Sequence, residues 1–195
     1  MIRWEDRREG FFGAFNHSGH FDDVFTYIVD GYPMYCWQPG SWEGRNGGFG
    51  GSDLVSTKYC HAAFKNHVYI GFHGLIVAHD GPCRGKDNDV RLWKEGFYSG
   101  RYPMYDGEMA LGDLIYGGCP GVLCGRKHPT HANQARWTMR DAMWNTLISH
   151  YRARVETVIH RLKNHGWMDS TFRGSFTTLV TLNEITGFHR FGDSS

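Results

Sequence analysis

The sequence predicts a single α/β domain whose elements run in α+β order. Three observations point there. Short runs of β-branched and aromatic residues, "FTYIV", "HVYIGF" and "LIVA", crowd the first half of the chain. A glycine-free stretch from Asn133 to His165 has helical spacing. Strands come first, then a mixed section, then helices, which suits one layered domain. With 195 residues, 41% of them hydrophobic and 15% aromatic, the chain can build one substantial core.

The elements follow in order. Residues 1–23 are polar and charged, with "NHSGH" as a loop, and read as an N-terminal arm or truncated lead-in. The folded domain spans 24–190, and 191–195 is a tail. "VFTYIVDGYPMYCW" (24–37) reads as a strand, a turn at Asp30-Gly31 and a second strand. "QPGSWEGRNGGFGGSDLVST" (38–57) is rich in glycine and reads as a long loop. Its Trp42 and Phe49 either stack on unpaired bases or pack back on the domain.

Residues 58–80 break at His73-Gly74 and predict a two-stranded hairpin, with Asp80 as a turn residue. "DNDVRLWKEGFY" (87–98) has helical spacing at Val90, Leu92 and Trp93; Asp89 is a candidate fourth acidic residue, with helix N-capping the preferred reading. "EMALGD" (108–113) and "GVLCGRK" (121–127) read as short strands. The long helix over 133–165 ends at Gly166, and "FTTLVTLNEI" (176–185) predicts a last helix.

A net charge of +1 offers no global attraction to nucleic acid or membrane, so any electrostatic argument is local. No apolar run approaches the ~20 residues that span a bilayer, and the N-terminus lacks a signal-peptide core. The expectation is a soluble intracellular protein. Five cysteines, an odd number without a C-x-x-C pair, argue for reduced thiols. His61, His67, His73 and His79 recur every six residues, but a zinc site there is the lesser reading.

The chemistry lies in the carboxylates. Asp30 and Asp113 each close an apolar run beside glycine, in "VDG" and "LGD". In "HYRARVETVIHRLKNHG", Val155, Val158, Ile159 and Leu162 form an apolar helical stripe. Glu156 sits at its edge with Arg152, His160 and Lys163 near it. Two strand-borne carboxylates and one helix-borne carboxylate suit a pair of hard divalent cations, and such a pair suits phosphoryl transfer. Competing readings stay open: a hairpin turn for Asp30, a turn cap for Asp113, and pairing with Arg152 or His160 for Glu156. Two basic clusters could neutralise phosphates or simply form solvated faces. One comprises Arg152, Arg154, His160, Arg161, Lys163 and Arg173, the other Arg126 and Lys127 in "CGRKHP".

Four ordered blocks resemble the catalytic domain of Harbinger-type DDE transposases and the endonucleases derived from them. "YIVDGYPMYCWQP" is similar to the first-aspartate block. "KYCHAAFKNHVYIGFHGLIVAHDGPCRGKDNDVRLWKEG" is similar to the central block, with its hairpin, "GLI" turn, "GP..G" loop and an Asp before an aliphatic helix. "MALGDLIYG" resembles the second-aspartate block, with Tyr116 as its aromatic, and "RARVETVIHRLKNHGW" the glutamate block. The resemblance covers roughly residues 25–187.

It implies an RNase H-like mixed sheet flanked by helices. It also implies that Asp30, Asp113 and Glu156 bind two Mg²⁺ (or Mn²⁺) ions and catalyse phosphodiester hydrolysis, with strand transfer at transposon ends. The alternative is a domesticated, catalytically silent module that binds DNA or protein. Family members carry a helix-turn-helix region or use a separate DNA-binding protein, and residues 1–23 are too short to supply one. The expected partners are therefore DNA, such a region or protein, and further copies of the chain, with no membrane. The expected location is the nucleus, or otherwise the cytoplasm.

Overall fold

The computed structural model describes residues 25–37, 51–56, 58, 60–71, 74–104, 108–129, 137–164 and 170–173, with positions 178 and 181. The arm, the tail, Trp42, Phe49, His73 and most of the predicted 176–185 helix lie outside the described residues. Among the described residues, five strands form one mixed sheet: β1 (Phe25–Tyr35), β2 (Ala63–Gly71), β3 (Ile76–Arg84), β4 (Met109–Leu111) and β5 (Val122–Leu123). Their spatial order is β3-β2-β1-β4-β5. The β1–β2 and β2–β3 pairs are antiparallel, whereas β1–β4 and β4–β5 are parallel. Among the described residues, helices α1 (Gly51–Leu54), α2 (Asp89–Tyr98) and α3 (Met139–Lys163) accompany the sheet. The fold is α/β.

Side-chain alternation along β1 builds a core on each face of the sheet. Ile28, Tyr32 and Met34 join Val68, Ile70 and Leu111 on one face. There they meet Ile148, Val155, Val158 and Leu162 of α3. Tyr27 and Val29 point the other way and join Tyr69, Trp93 of α2 and Tyr116. Each of these side chains is 9% exposed or less, which for a large apolar group is worth about 1.5–3 kcal/mol over exposure. The sheet is thus sandwiched between α3 and α2.

The helix ends have local causes. Asn88 caps α2 by accepting the Val90 N–H at 2.8 Å. The expected cap, Asp89, is instead the first helical residue and directs its carboxylate elsewhere. Thr138 and Asp141 form a reciprocal capping box at the start of α3. Arg161 and Lys163 stand in its last turn, where cations offset the negative end of the helix dipole.

Two predicted turns are strand. Asp30-Gly31 does not reverse the chain: β1 runs on without a break, with Asp30 opposite Val68 and Gly31 opposite His67. The continuous partner strand β2 supplies ladder bonds on both sides of the dipeptide, and this overrides its turn preference. Pro33 is tolerated because β4 pairs with β1 only as far as Ile28, so that among the described residues no strand ladder calls on its missing N–H. Asp80 lies within β3, where it accepts hydrogen bonds from Tyr69 Oη (3.3 Å) and Arg101 Nη1 (2.9 Å). The hairpin around Gly74 is observed, with Gly74 at φ +80°. None of the five cysteines forms a disulfide. Among the described residues, no helix is long and apolar enough to cross a membrane.

Candidate functional site

Register brings the two aspartates together. β1 and β4 are parallel, with Ile28 opposite Leu111, and both side chains face α3. Two residues further along each strand lie Asp30 and Asp113, on the same face by alternation. This is where β4 ends and the strands part, the kind of crevice at strand carboxyl ends where open α/β sheets bind ligands. Gly112 is needed on the way out: a Cβ there would meet Val122 Cγ1 at 2.8 Å and Tyr116 Cδ2 at 3.0 Å. Asp113 then caps the following 3₁₀ turn (Leu114–Tyr116) by accepting the Leu114 N–H at 2.6 Å. The capping reading of Asp113 and its place beside Asp30 hold at once.

The third carboxylate arrives from α3. Arg152 and Glu156 are one helical turn apart and share a face. The Arg152 guanidinium lies among all three acids. Nη2 is 3.4 Å from Asp30 Oδ2 and 3.9 Å from Glu156 Oε1, and Nη1 is 3.4 Å from Asp113 Oδ1. Side-chain exposure rises from 20% at Asp30 through 45% at Asp113 to 66% at Glu156. The site is a cleft, closed at Asp30 and open at Glu156. Arg152 Nε is buried and has no hydrogen-bond partner among the described residues.

Burial pushes the Asp30 carboxyl above its ordinary value. Arg152 and the Gly31 N–H, which donates to Oδ1 at 2.8 Å, oppose that shift, while Asp113 and Asp89 add to it. Three charged groups and one backbone N–H therefore act on one largely buried carboxylate, an arrangement frequent at functional sites.

Asp89, the fourth acidic candidate with capping as its preferred role, is not the cap, which is Asn88. Asp89 reaches the opposite face of β1 at the register of Gly31, where a Cβ would meet its Oδ1 at 2.7 Å. That oxygen accepts from His67 Nε2 at 3.0 Å and pairs with Lys65 Nζ at 3.3 Å. Burial pushes Asp89 up, but the His67 hydrogen bond and the charges of His67 and Lys65 prevail and hold it below the usual carboxylate value. His67 is fully buried, and its Nδ1 has no partner among the described residues. Alternation alone puts His67 on the same sheet face as Tyr69, but its place opposite Gly31 on the face that α2 covers comes from the strand register.

The basic residues divide. Arg152, His160 and Lys163 share the face of Glu156. Arg154 and Arg161 lie about 180–200° round α3 from Arg152, on the other flank of the buried stripe. Arg154 stands over the Tyr151 ring at 5.7 Å. Arg126 pairs with Asp141, and its N–H donates to Asn145 Oδ1 at 2.7 Å, so it braces the start of α3; Lys127 beside it is exposed. Arg173 is exposed.

Asp30, Asp113 and Glu156 offer only oxygen donors, the choice of hard divalent cations, and they already surround a cationic group. In charge and donor type they fit such an ion, with the guanidinium as its stand-in. With Arg152 between them, no three His, Cys, Asp or Glu side chains among the described residues are grouped to hold a metal. A metal would therefore require the guanidinium to move and the carboxylates to close. Comparison with protein-family models, curated proteins and solved structures finds no match to this chain.

Proposed function

We propose that the chain is the catalytic domain of a metal-dependent DNA endonuclease of the DDE transposase type, with an RNase H-like sheet. One observation carries this reading: three carboxylates from three separate elements surround a single cation in a cleft. The strand order β3-β2-β1-β4-β5, with an antiparallel first half and a parallel second half, supports it.

Asp30, Asp113 and Glu156 would hold two Mg²⁺ or Mn²⁺ ions. Such ions, held by these carboxylates, would supply activation of a water or a DNA 3′-hydroxyl and stabilisation of the departing oxygen. The chain's own contribution is placement. β1 and β4 fix the aspartates at a common register, Gly112 lets Asp113 turn into the cleft, and α3 brings Glu156 across its mouth. His160 and Lys163, on the same helix face, would take the phosphate backbone. DNA is the proposed substrate, with a separate DNA-binding protein or region and further copies of the chain as partners, in the nucleus.

The test is nicking of supercoiled plasmid in Mg²⁺ or Mn²⁺. The expected result is nicking that falls at least 100-fold in each of Asp30→Asn, Asp113→Asn and Glu156→Gln. Nicking that survives all three substitutions would overturn the assignment. A second reading, a silent DNA- or protein-binding module, is favoured by Arg152 itself, which offsets one of the cleft's three negative charges without metal. DNA binding in a wild-type protein that nicks in neither metal would decide for it.

A further inference from the structure

The placement of Arg152 says more than that the cleft suits a cation. We propose that Arg152 is a built-in counter-ion which holds the carboxylates while no metal is present and yields its place when divalent ions bind. This rests on the metal-site reading above.

The geometry of the guanidinium carries the inference. Its two amine groups face three acids, with Nη2 divided between Asp30 and Glu156. At 3.4, 3.4 and 3.9 Å the contacts exceed the 2.7–2.9 Å of a tight charge-assisted hydrogen bond. Nε is buried and unmatched among the described residues. A dedicated structural arginine would be clamped in bidentate fashion with its donors matched. This one is central, loosely held and incompletely satisfied.

Charge supplies the exchange. Three carboxylates and one guanidinium leave the cleft two negative charges. A first divalent ion cancels them, and a second makes retention of the guanidinium repulsive. The long side chain can swing out on its own stem while its backbone stays in α3. It then stands at the cleft mouth as a phosphate-binding group beside His160 and Lys163.

If so, Arg152 competes with metal, and removing its charge tightens metal binding. The experiment is calorimetric titration of the full chain with Mn²⁺, together with melting curves with and without Mn²⁺. Wild type, Arg152→Met, Arg152→Lys and Asp30→Asn are compared, with Arg152→Gln taking the place of Arg152→Met if the latter does not fold. The neutral variant should bind Mn²⁺ about tenfold more tightly than wild type. It should melt lower without metal and recover with it, and Arg152→Lys should stay near wild type. A neutral variant that binds Mn²⁺ no more tightly than wild type, while Asp30→Asn abolishes binding, overturns this inference and leaves the metal site standing. Absence of any Asp30-dependent Mn²⁺ binding in wild type and neutral variant alike overturns both.

Discussion

Replacing Gly31 by alanine tests how the two faces of β1 are coupled. The added Cβ would lie 2.7 Å from Asp89 Oδ1, 3.2 Å from Asp89 Cγ and 3.2 Å from His67 Cδ2. The first distance is well inside van der Waals contact, so something must move. An unencumbered carboxylate would turn aside at little cost, but this oxygen is held by His67 at 3.0 Å and Lys65 at 3.3 Å. Turning it away leaves fully buried His67 without its Nε2 partner. Overpacking of this kind costs about 1–3 kcal/mol, and a lost hydrogen bond to a charged group about 1.5–3 kcal/mol. The two partly exclude each other, since yielding relieves the clash. A net loss of about 2–3 kcal/mol is expected. For a chain of this size that lowers Tm by roughly 4–12 °C. Urea titration of wild type, Gly31→Ala, Asp89→Ala and the double variant closes the cycle. The double variant should cost at least about 1 kcal/mol less than the two singles together, because Asp89→Ala vacates the space the methyl needs. Strict additivity, or a Gly31→Ala cost within about 0.5 kcal/mol of zero, would refute the packing argument.

His79 is 2% exposed, with Tyr32 Oη 3.3 Å from its Nε2. Burial, reinforced by His67 and opposed by Asp80, lowers its pKa from 6.5 to about 4. The unfolded chain therefore takes up this proton first as pH falls. Stability should be full above pH 6.5 and drop towards pH 4 by about 1.4 kcal/mol per unit, roughly 3 kcal/mol in all. Chemical denaturation across that window reads the slope, and His79→Gln should flatten it. Gly85→Ala would drive a Cβ into the backbone oxygens of Leu54 and Ala63, neither of which can rotate away. A loss of roughly 3 kcal/mol or more is expected, seen as a lower denaturant midpoint or loss of soluble protein; a wild-type midpoint would contradict the placement of α1 against β2.

What the sequence determined alone is what short-range rules govern. The hairpin about Gly74, the helix over 89–98 and the body of the long helix follow from periodicity, while the caps were not legible: the long helix, expected from Asn133, starts after Thr138, and the shorter one is capped by Asn88. The stripe of Val155, Val158 and Leu162 follows from helical spacing, and so does the edge position of Glu156. Residue type and the glycines beside Asp30 and Asp113 marked those two as candidates and helical spacing marked Glu156, with competing turn, cap and ion-pair readings open; the family resemblance is what favoured grouping the three.

Tertiary structure decided what distant pairings govern. Asp30-Gly31 reads locally as a turn, yet an unbroken β2 partner makes it mid-strand. Asp80 reads as a turn residue, yet Tyr69 and Arg101 keep it within β3. Asp89 reads as a cap, yet its neighbour Asn88 takes that role and frees the carboxylate to meet a histidine 22 positions back in the chain. Arg152 reads as one charge in a basic helix, and only the parallel register of β1 with β4 sets Asp30 and Asp113 where its guanidinium can reach both. The physical reason is the same throughout. Cap and periodicity energies act within one or two turns of chain, whereas a charge's partner is set by which strands lie side by side and in what register.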